Sequence, residues 1–449
     1  MTASLTTLEE DYNRMRTSVA RNHNLIITAP AYLLGILIVS FPMVIELLKI
    51  KGLLFLYLIF IVALKLLKTG KFYIHDKILF MTLFQISVSL LFLAIGAING
   101  APGVAKQAQV YVIWPLVYLL LISELSDKDI FNKVQNILLI ATLIIIAFGF
   151  NYILSELGII SPVINTNFTT EEVRYGIQEG HMKLEVIGLN SLAFLIPYMV
   201  TLVINHDPRN ENKLYKYSQL VTLFLGLALV IISGRRALLL VTMLAPVITL
   251  IMKAYQDRSG FKHSFAQFFK VIGMIAITML ILPVAIGNII DINLAGIYDF
   301  FVSGFDFSSS AGHSESLRKE SFYALLDGWL SSPLLGSGLG SYTSTNIRST
   351  DMPWSYELHY MSLLFQTGVV GFVSYCIGIG WLFWTSLKII RRNDYFSSLV
   401  MPFLVGFTCF LIASATNPYL PSFEGIWVIF LIIAVINFYQ MENTAERES

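Results

Sequence analysis

Two stretches of this 449-residue chain organise the rest: SESLRKESFYALLDGWLSSPLLGSGLGS, residues 314–341, and YELHYMSLLFQTGVVG, residues 356–371. The first belongs to a long polar segment that runs from about Ile290 to His359, and the second leads out of that segment into an apolar run. Most of the remaining chain is apolar sequence of membrane-spanning length. We therefore expect the chemistry of the protein to lie where the polar segment meets the membrane.

The composition is that of a multi-pass membrane protein. Apolar residues make up 56% of the chain and charged residues 13%, whereas about a quarter of the residues in a typical soluble protein are charged. The net charge of +1 gives no bulk attraction to nucleic acid. Two cysteines, Cys376 and Cys409, cannot build a disulfide framework or a metal cluster. No His, Asp or Glu cluster has metal-ligand spacing, so we expect an activity without metal or cofactor.

A helix needs about 20 apolar residues to cross a bilayer, and about twelve runs approach that length. They predict an all-α polytopic protein with spans at 25–48, 52–67, 78–98, 108–123, 134–154, 187–204, 217–233, 237–252, 271–289, 360–387, 399–415 and 425–439. The resulting divisions are a cytoplasmic N-terminus at 1–24, the first nine helices over 25–289 with an external loop at 155–186, a large external loop at 290–359, the last three helices over 360–439 and a cytoplasmic tail at 440–449.

Lysine and arginine residues in alternate loops predict that both termini are cytoplasmic. The apolar run from Leu25 is interpreted as a retained helix rather than a cleaved leader. Five arginines oppose the rule because they fall on the predicted external side: Arg174, Arg235, Arg236, Arg318 and Arg348. Cations in these positions indicate an anionic ligand. The alternative for Arg235 and Arg236 is that they snorkel to lipid phosphates.

The large loop contains a predicted amphipathic helix. From Phe322 to Leu330 apolar residues recur at helical spacing, charged residues occupy other faces, and Pro333 ends the pattern. We expect this helix to lie at the membrane surface. The glycines of Gly336–Gly340 resemble a phosphate-binding loop only loosely, because the Walker lysine and a βαβ unit are missing. A tight turn with positive φ angles is the favoured interpretation.

Polar residues near two predicted helix ends are candidates for chemistry. Glu357 and His359 come just before the span that begins at Tyr360, and on one helix they would diverge by roughly 200°. Either could act as a general base in a water-poor cavity. Glu185 and Asn190 straddle the outer end of the sixth span, where Glu185 could pair with an external arginine or take part in catalysis.

Four stretches together carry a family resemblance. They are Arg174-Tyr175-Gly176 with Gly188-Leu189-Asn190; Ile232-Ser233-Gly234-Arg235-Arg236-Ala237; Arg318 with Pro333–Gly340; and Glu357-Leu358-His359-Tyr360 with Gly368–Gly371. Their order and spacing over roughly residues 170–375 resemble the O-antigen polymerase and O-antigen ligase superfamily of bacterial surface-polysaccharide assembly. Arg236 takes the position of a family arginine. Glu357 stands where ligases typically carry histidine, which favours a Wzy-type repeat-unit polymerase.

The resemblance implies a GT-C-type fold and a glycosyltransferase in the bacterial inner membrane with its active site facing the periplasm. Donor and acceptor would be oligosaccharide repeat units on undecaprenyl diphosphate, and a chain-length regulator is an implied partner. The predicted first external loop, around Lys49–Lys51, is too short for the acidic metal site of many lipid-dependent glycosyltransferases. A metal-independent transfer is therefore expected.

Residue roles follow from this chemistry. A diphosphate leaving group gains charge as its bond breaks, and arginine holds such charge with a planar fork. Arg236, Arg235 and Arg318 are the predicted clamp, and Glu357 is the predicted base with His359 as second candidate. The predicted substrate-binding residues are Arg174, Arg235, Glu185, Asn190, Arg348, His313 and Tyr360.

Three other functions remain open from the sequence. An O-antigen ligase would transfer the finished glycan to the lipid A core or to a protein. A transporter of lipid-linked oligosaccharide would need internal repeats and charges near the bilayer midplane, and the sequence shows no clear repeat and few such charges. A scaffold in an assembly complex would tolerate single arginine substitutions.

Overall fold

The computed structural model of the chain describes residues 29–42, 44–70, 72–124, 128–156, 158–161, 174–178, 181–185, 188–205, 213–256, 261–290, 313–345, 351–392, 394–422 and 425–448. Within these residues, ten helices are long and apolar enough to cross a membrane, and two shorter apolar helices, Ala29–Ser40 and Leu189–Ile204, accompany them. The prediction of a helical, multi-pass membrane protein is confirmed at this level.

The described helices are numbered in chain order. They are α1 (Ala29–Ser40), α2 (Ile45–Thr69), α3 (Asp76–Ile98), α4 (Val104–Ala108), a π-helical turn (Gln109–Ile113), α5 (Trp114–Ile122), α6 (Lys128–Glu156), α7 (Leu192–Ile204), α8 (Lys213–Ile232), α9 (Arg236–Gln256), α10 (Phe261–Ile290), α11 (His313–Ser331), α12 (His359–Ile390), α13 (Tyr395–Ala413) and α14 (Ile426–Glu448). Since α4, the π-helical turn and α5 are continuous, they form one candidate span.

A short β-hairpin departs from the all-α prediction. Strands β1 (Arg174–Gln178) and β2 (His181–Glu185) pair antiparallel within the loop predicted at 155–186. The register sets apolar pairs, such as Tyr175 with Leu184, between polar pairs, and this alternation is the period of a strand. A five-residue alternation is too short to appear among apolar runs of membrane-spanning length, so those runs do not predict the hairpin.

The predicted first span and first external loop are wrong in position. The run 25–48 is interrupted at Pro42, between α1 and α2, because proline cannot continue a helix. Lys51 lies inside α2 instead of in a loop, and it is buried. Its ammonium group donates hydrogen bonds to the carbonyl oxygens of Phe41 and Pro42, which tie α2 to the end of α1.

Helix α13 is the hub of the bundle. It is buried along most of its length and contacts α7, α9, α12 and α14. Gly406 allows α7 to approach closely, since a Cβ atom there would lie 2.8 Å from the Phe194 ring. The Cys409 sulfur lies 3.7 Å from the carbonyl oxygen of Val241 on α9. These contacts hold the first half of α7 and the first half of α9 against α13.

Helix α12 is broken at Gly368, where φ is 58° and ψ is −171°. The break receives another part of the chain, because the Val369 amide donates to the Pro333 carbonyl oxygen at 2.9 Å. The predicted span at 360–387 is therefore two helical segments rather than one. A single glycine inside an apolar run is a weak boundary signal, so the sequence did not mark the break.

Candidate functional site

Helix α11 forms one wall of the candidate site. The helix predicted to end before Pro333 is confirmed, and it begins at His313. Leu325 is fully buried in a cluster with Tyr356 and Phe365. Leu330, predicted for the same face, is 58% exposed instead. The helix therefore has one apolar surface packed on α12 and a second one that remains exposed.

The glycine segment, Pro333–Ser341, passes between α3, α4 and the break in α12. Gly336, Gly338 and Gly340 have φ angles of 66°, 94° and 88°, which confirms the predicted positive-φ turn. A Cβ atom on Gly338 would lie 2.1 Å from the amide nitrogen of Gly96 on α3. Backbone thus packs directly against backbone, and no other residue type fits.

The amides of the glycine segment are bonded to neighbouring helices. The Ser337 amide donates to the Phe365 carbonyl oxygen at 3.1 Å. The Gly338 amide donates to the Gln366 carbonyl oxygen at 2.8 Å, and the Leu339 amide to the Phe92 carbonyl oxygen at 2.9 Å. A phosphate-binding loop needs such amides to face the ligand. Because these three amides donate to carbonyl oxygens of α12 and α3 instead, the segment acts as a structural wedge between those helices. Non-helical backbone at membrane depth is tolerated where protein surrounds and pairs it in this way.

Two polar contacts that sequence reasoning missed fasten the end of the glycine segment. The Tyr356 hydroxyl accepts a hydrogen bond from the Thr343 amide at 2.7 Å. The Gln366 side chain, inside α12, donates to the Ser341 carbonyl oxygen at 2.9 Å. A glutamine within an apolar run was the available signal, since a polar residue there usually points to a partner.

Arg318 and Glu357 form an ion pair at the junction of α11 and α12. The Arg318 Nε atom lies 2.7 Å from Glu357 Oε2, and the two side chains are 34% and 19% exposed. Glu357 precedes α12, and its carbonyl oxygen accepts the His359 amide at 3.0 Å. The expectation that Glu357 and His359 share a helix is therefore wrong. The pair holds a carboxylate and a permanent cation together in a partly exposed position.

The next two candidate residues along the chain, His359 and Tyr360, are packed at the start of α12. His359 is the first residue of α12 and is 5% exposed, and its ring centroid lies 5.4 Å from that of Tyr360. The Tyr360 hydroxyl donates to the Leu411 carbonyl oxygen on α13 at 2.6 Å. Tyr360 thus ties α12 to α13. Glu357 is the more accessible of the two candidate bases.

The arginine turn, residues 233–236, joins α8 to α9 between the spans predicted at 217–233 and 237–252. Gly234 has a φ of 61°, and α9 begins at Arg236. The Arg235 guanidinium donates to the Asn190 side-chain oxygen at 2.5 Å, which joins two predicted substrate-binding residues. Arg236 is partly buried at the first turn of α9. These cations are held by the fold rather than extended into solvent.

The arginine turn and the Arg318–Glu357 pair lie at one end of the bundle, which we call the loop end. Helices α9 and α12 begin there, and both contact the last turns of α13. Val241 of α9 lies against Cys409, and Tyr360 of α12 bonds to Leu411. The arginine turn and the Arg318–Glu357 pair therefore face the same side of the protein.

The remaining candidates are placed less completely. Arg174 and Glu185 are directly opposite each other in the β-hairpin register, and β2 contacts α8. His313 is the first residue of α11. Arg348 lies outside the residues that the structure describes. The structure thus brings predicted residues together in three pairs, Arg318 with Glu357, Arg235 with Asn190, and Arg174 opposite Glu185.

In the part of the chain that the structure describes, no group of three or more His, Cys, Asp or Glu residues could hold a metal ion. No protein-family model matches the chain, and no curated protein matches it. Fold and site together define a helical, multi-pass membrane protein with an Arg–Glu pair and an arginine turn at one end.

Proposed function

We propose that this protein is a glycosyltransferase that joins undecaprenyl-diphosphate-linked oligosaccharide repeat units into a surface polysaccharide, such as O-antigen or capsule. The observation that supports this best is the Arg318–Glu357 pair. Its partners are 39 residues apart in sequence and meet at 2.7 Å, beside the buried His359. A partly exposed carboxylate that an arginine keeps in place suits the removal of a proton from an acceptor hydroxyl.

The proposal includes a twelve-span, GT-C-type arrangement in the bacterial inner membrane. The ten helices of spanning length and the two shorter apolar helices found in the described part of the chain support that number. The end opposite the loop end carries basic residues, among them Lys68, Lys388 and Arg391. By the positive-inside rule that end faces the cytoplasm, so the loop end faces the periplasm.

In the proposed reaction, Glu357 accepts the proton of an acceptor hydroxyl while the oxygen of that hydroxyl attacks the anomeric carbon of the donor. The bond between that carbon and the diphosphate breaks, and undecaprenyl diphosphate leaves with the electron pair. Arginine stays protonated throughout and offers several N–H donors. Arg235 and Arg236 at the arginine turn stabilise the charge that develops on the diphosphate.

Arg318 contributes in two ways. Its Nε atom binds Glu357 Oε2 and so orients the carboxylate. The same guanidinium carries further N–H donors that suit a phosphate oxygen. The pair therefore links the base for the acceptor to the charge of the donor, and neither residue can be replaced without affecting the other.

The experiment that tests this proposal is complementation of a strain that lacks the protein, with polymer length read on a gel. Glu357→Gln should reduce polymer at least about a hundredfold, the lower range for loss of a general base. Glu320→Gln and Lys319→Ala are matched controls, since both residues are exposed on α11 beside Arg318. Both controls should leave the polymer unchanged.

A charge swap separates catalysis from structure. In the double variant Arg318→Glu with Glu357→Arg the ion pair can re-form, so the protein should reach the membrane in normal amounts yet make no polymer. Restoration of normal polymer by the swap would show that the pair is only structural. A strain that accumulates long chains on the carrier lipid, instead of single repeat units on the acceptor, would point to the ligase.

A further inference from the structure

A cavity of about 350 Å³ lies at the end of the bundle opposite the loop end, where α9 and α12 finish side by side. It is lined by Tyr255, Trp384, Leu387, Lys388, Arg391 and Arg392. Half of these residues are cations and two are aromatic. The proposed transferase reaction uses none of them, and the positive-inside rule accounts for their charge but not for the cavity that they line.

Two of the cations are uncompensated by the protein. Lys388 is exposed, and its ammonium nitrogen lies 4.9 Å from the ring centroid of Trp384. Arg391 is also exposed. Among the described residues, no hydrogen bond or ion pair involves the Arg391 side chain, and the Trp384 ring is the one polar or ring contact of Lys388. A ligand with negative charge would fit between them.

The third cation is fixed at the rim of the cavity. Arg392 Nε lies 3.0 Å from Asp394 Oδ2, and one terminal nitrogen donates to the Tyr439 hydroxyl at 2.8 Å and to the Asn443 side-chain oxygen at 3.0 Å. Asp394 therefore offsets the charge of Arg392. Among the described residues that line the cavity, three are cations and none is a carboxylate, so the lining keeps a positive charge next to Asp394.

An apolar stripe on α12 leads away from these cations. Val373, Ile377 and Trp384 are 48%, 53% and 62% exposed, and their spacing places them on the same helix face as Lys388 and Arg391. Gly380 lies on this face between Ile377 and Trp384. A Cβ atom on Gly380 would meet nothing within 4 Å, so the stripe has an open gap there.

We propose that the cavity binds the phosphate headgroup of an anionic phospholipid, with an acyl chain along the apolar stripe. The volume is near the lower end of small-molecule sites, roughly 300–1,000 Å³, so the cavity suits a headgroup rather than a whole lipid. Tyr255 and Trp384 are the residue types that settle at a membrane interface. A basic pocket between helices on the cytoplasmic side is a known arrangement for anionic headgroups.

The test is native mass spectrometry of the purified full chain with added phosphatidylglycerol or phosphatidylcholine of equal chain length. The wild-type protein should retain phosphatidylglycerol preferentially. The double variant Lys388→Gln/Arg391→Gln should bind it about thirty-fold more weakly, because each basic residue near an anionic surface contributes about 1 kcal/mol. Lys133→Gln/Lys270→Gln removes two exposed cations elsewhere on the bundle and should bind like wild type.

A second variant tests the stripe without changing charge. Gly380→Leu fills the open gap in the stripe, so it should weaken retention of phosphatidylglycerol while the elution volume stays unchanged and the thermal unfolding midpoint does not fall. Equal retention of both lipids by the wild-type protein, or equal loss in the two double variants, would overturn the site. Displacement of phosphatidylglycerol by millimolar inorganic phosphate would overturn the lipid as ligand and assign the cavity to a soluble phosphate.

Discussion

Replacing Gly338 by alanine should be among the most damaging single-methyl changes in the protein. The φ of Gly338 is 94°, and the new Cβ atom would lie 2.1 Å and 2.3 Å from the nitrogen and Cα atoms of Gly96. Both are backbone atoms of α3, so they cannot rotate aside. An L-residue in this conformation costs about 1–2 kcal/mol and overpacking about 1–3 kcal/mol, so the free energy of unfolding should fall by about 2–5 kcal/mol.

Two control variants separate these contributions. Gly70 has a φ of 61° and open space around its Cβ position, so Gly70→Ala measures the cost of φ alone. Gly96 lies in helix α3, and its Cβ would lie 2.3 Å from the Leu339 carbonyl oxygen, so Gly96→Ala measures the clash. Alanine also favours the helix over glycine by roughly 0.5–1 kcal/mol, which offsets part of that clash.

The measurement is the apparent thermal unfolding midpoint of each purified variant at one heating rate, because membrane proteins often unfold irreversibly. Gly338→Ala should lower the midpoint more than Gly70→Ala and more than Gly96→Ala. Equal losses for Gly338→Ala and Gly70→Ala would refute the reasoning, because they would show that the glycine segment is not wedged against α3.

Three further predictions concern single contacts. A double-mutant cycle on Arg318 and Glu357 should give a coupling of about 1 kcal/mol in unfolding, since both side chains are partly exposed; additive effects would contradict the pairing. Tyr356→Phe should cost about 1–3 kcal/mol because it leaves the buried Thr343 amide without its acceptor, and an unchanged unfolding midpoint would argue against that bond. Burial and neighbouring Lys77 lower the pKa of His75, so the unfolded chain binds more protons than the folded one as the pH falls below about 6.5. The contribution of His75 to stability is complete above about pH 6.5 and is lost as the pH falls through the lowered pKa. His75→Asn keeps an N-cap acceptor and should reduce this loss between about pH 7.5 and 5, whereas equal acid sensitivity of variant and wild type would contradict the assignment.

The features that sequence reasoning recovered are those with a local signal. Apolar runs of sufficient length located most helices, and the Gly234 turn lies between the spans predicted at 217–233 and 237–252. Pro333 correctly marked the end of α11. The positive φ angles of the glycine segment followed from the residue type alone.

The features that were missed depend on contacts between distant segments. At Gly368, α12 breaks where the glycine segment packs against it, and that segment lies more than twenty residues earlier in the chain. The charge of Lys51 predicts a loop residue, yet its ammonium group is buried and donates to the Pro42 carbonyl oxygen just after α1. The Arg318–Glu357 contact joins two residues that were assigned separate roles, and no spacing rule connects residues on either side of a loop.

The most direct test of the central claim uses purified protein with undecaprenyl-diphosphate repeat unit in detergent that contains EDTA, and gel analysis of the products. We predict a ladder of polymer from the wild-type protein and from Glu320→Gln, and none from Glu357→Gln at equal amounts of folded protein. A full ladder from Glu357→Gln would contradict the proposed role of the Arg318–Glu357 pair. Absence of a ladder from the wild-type protein, with transfer of glycan to an added lipid-core acceptor, would contradict the polymerase itself.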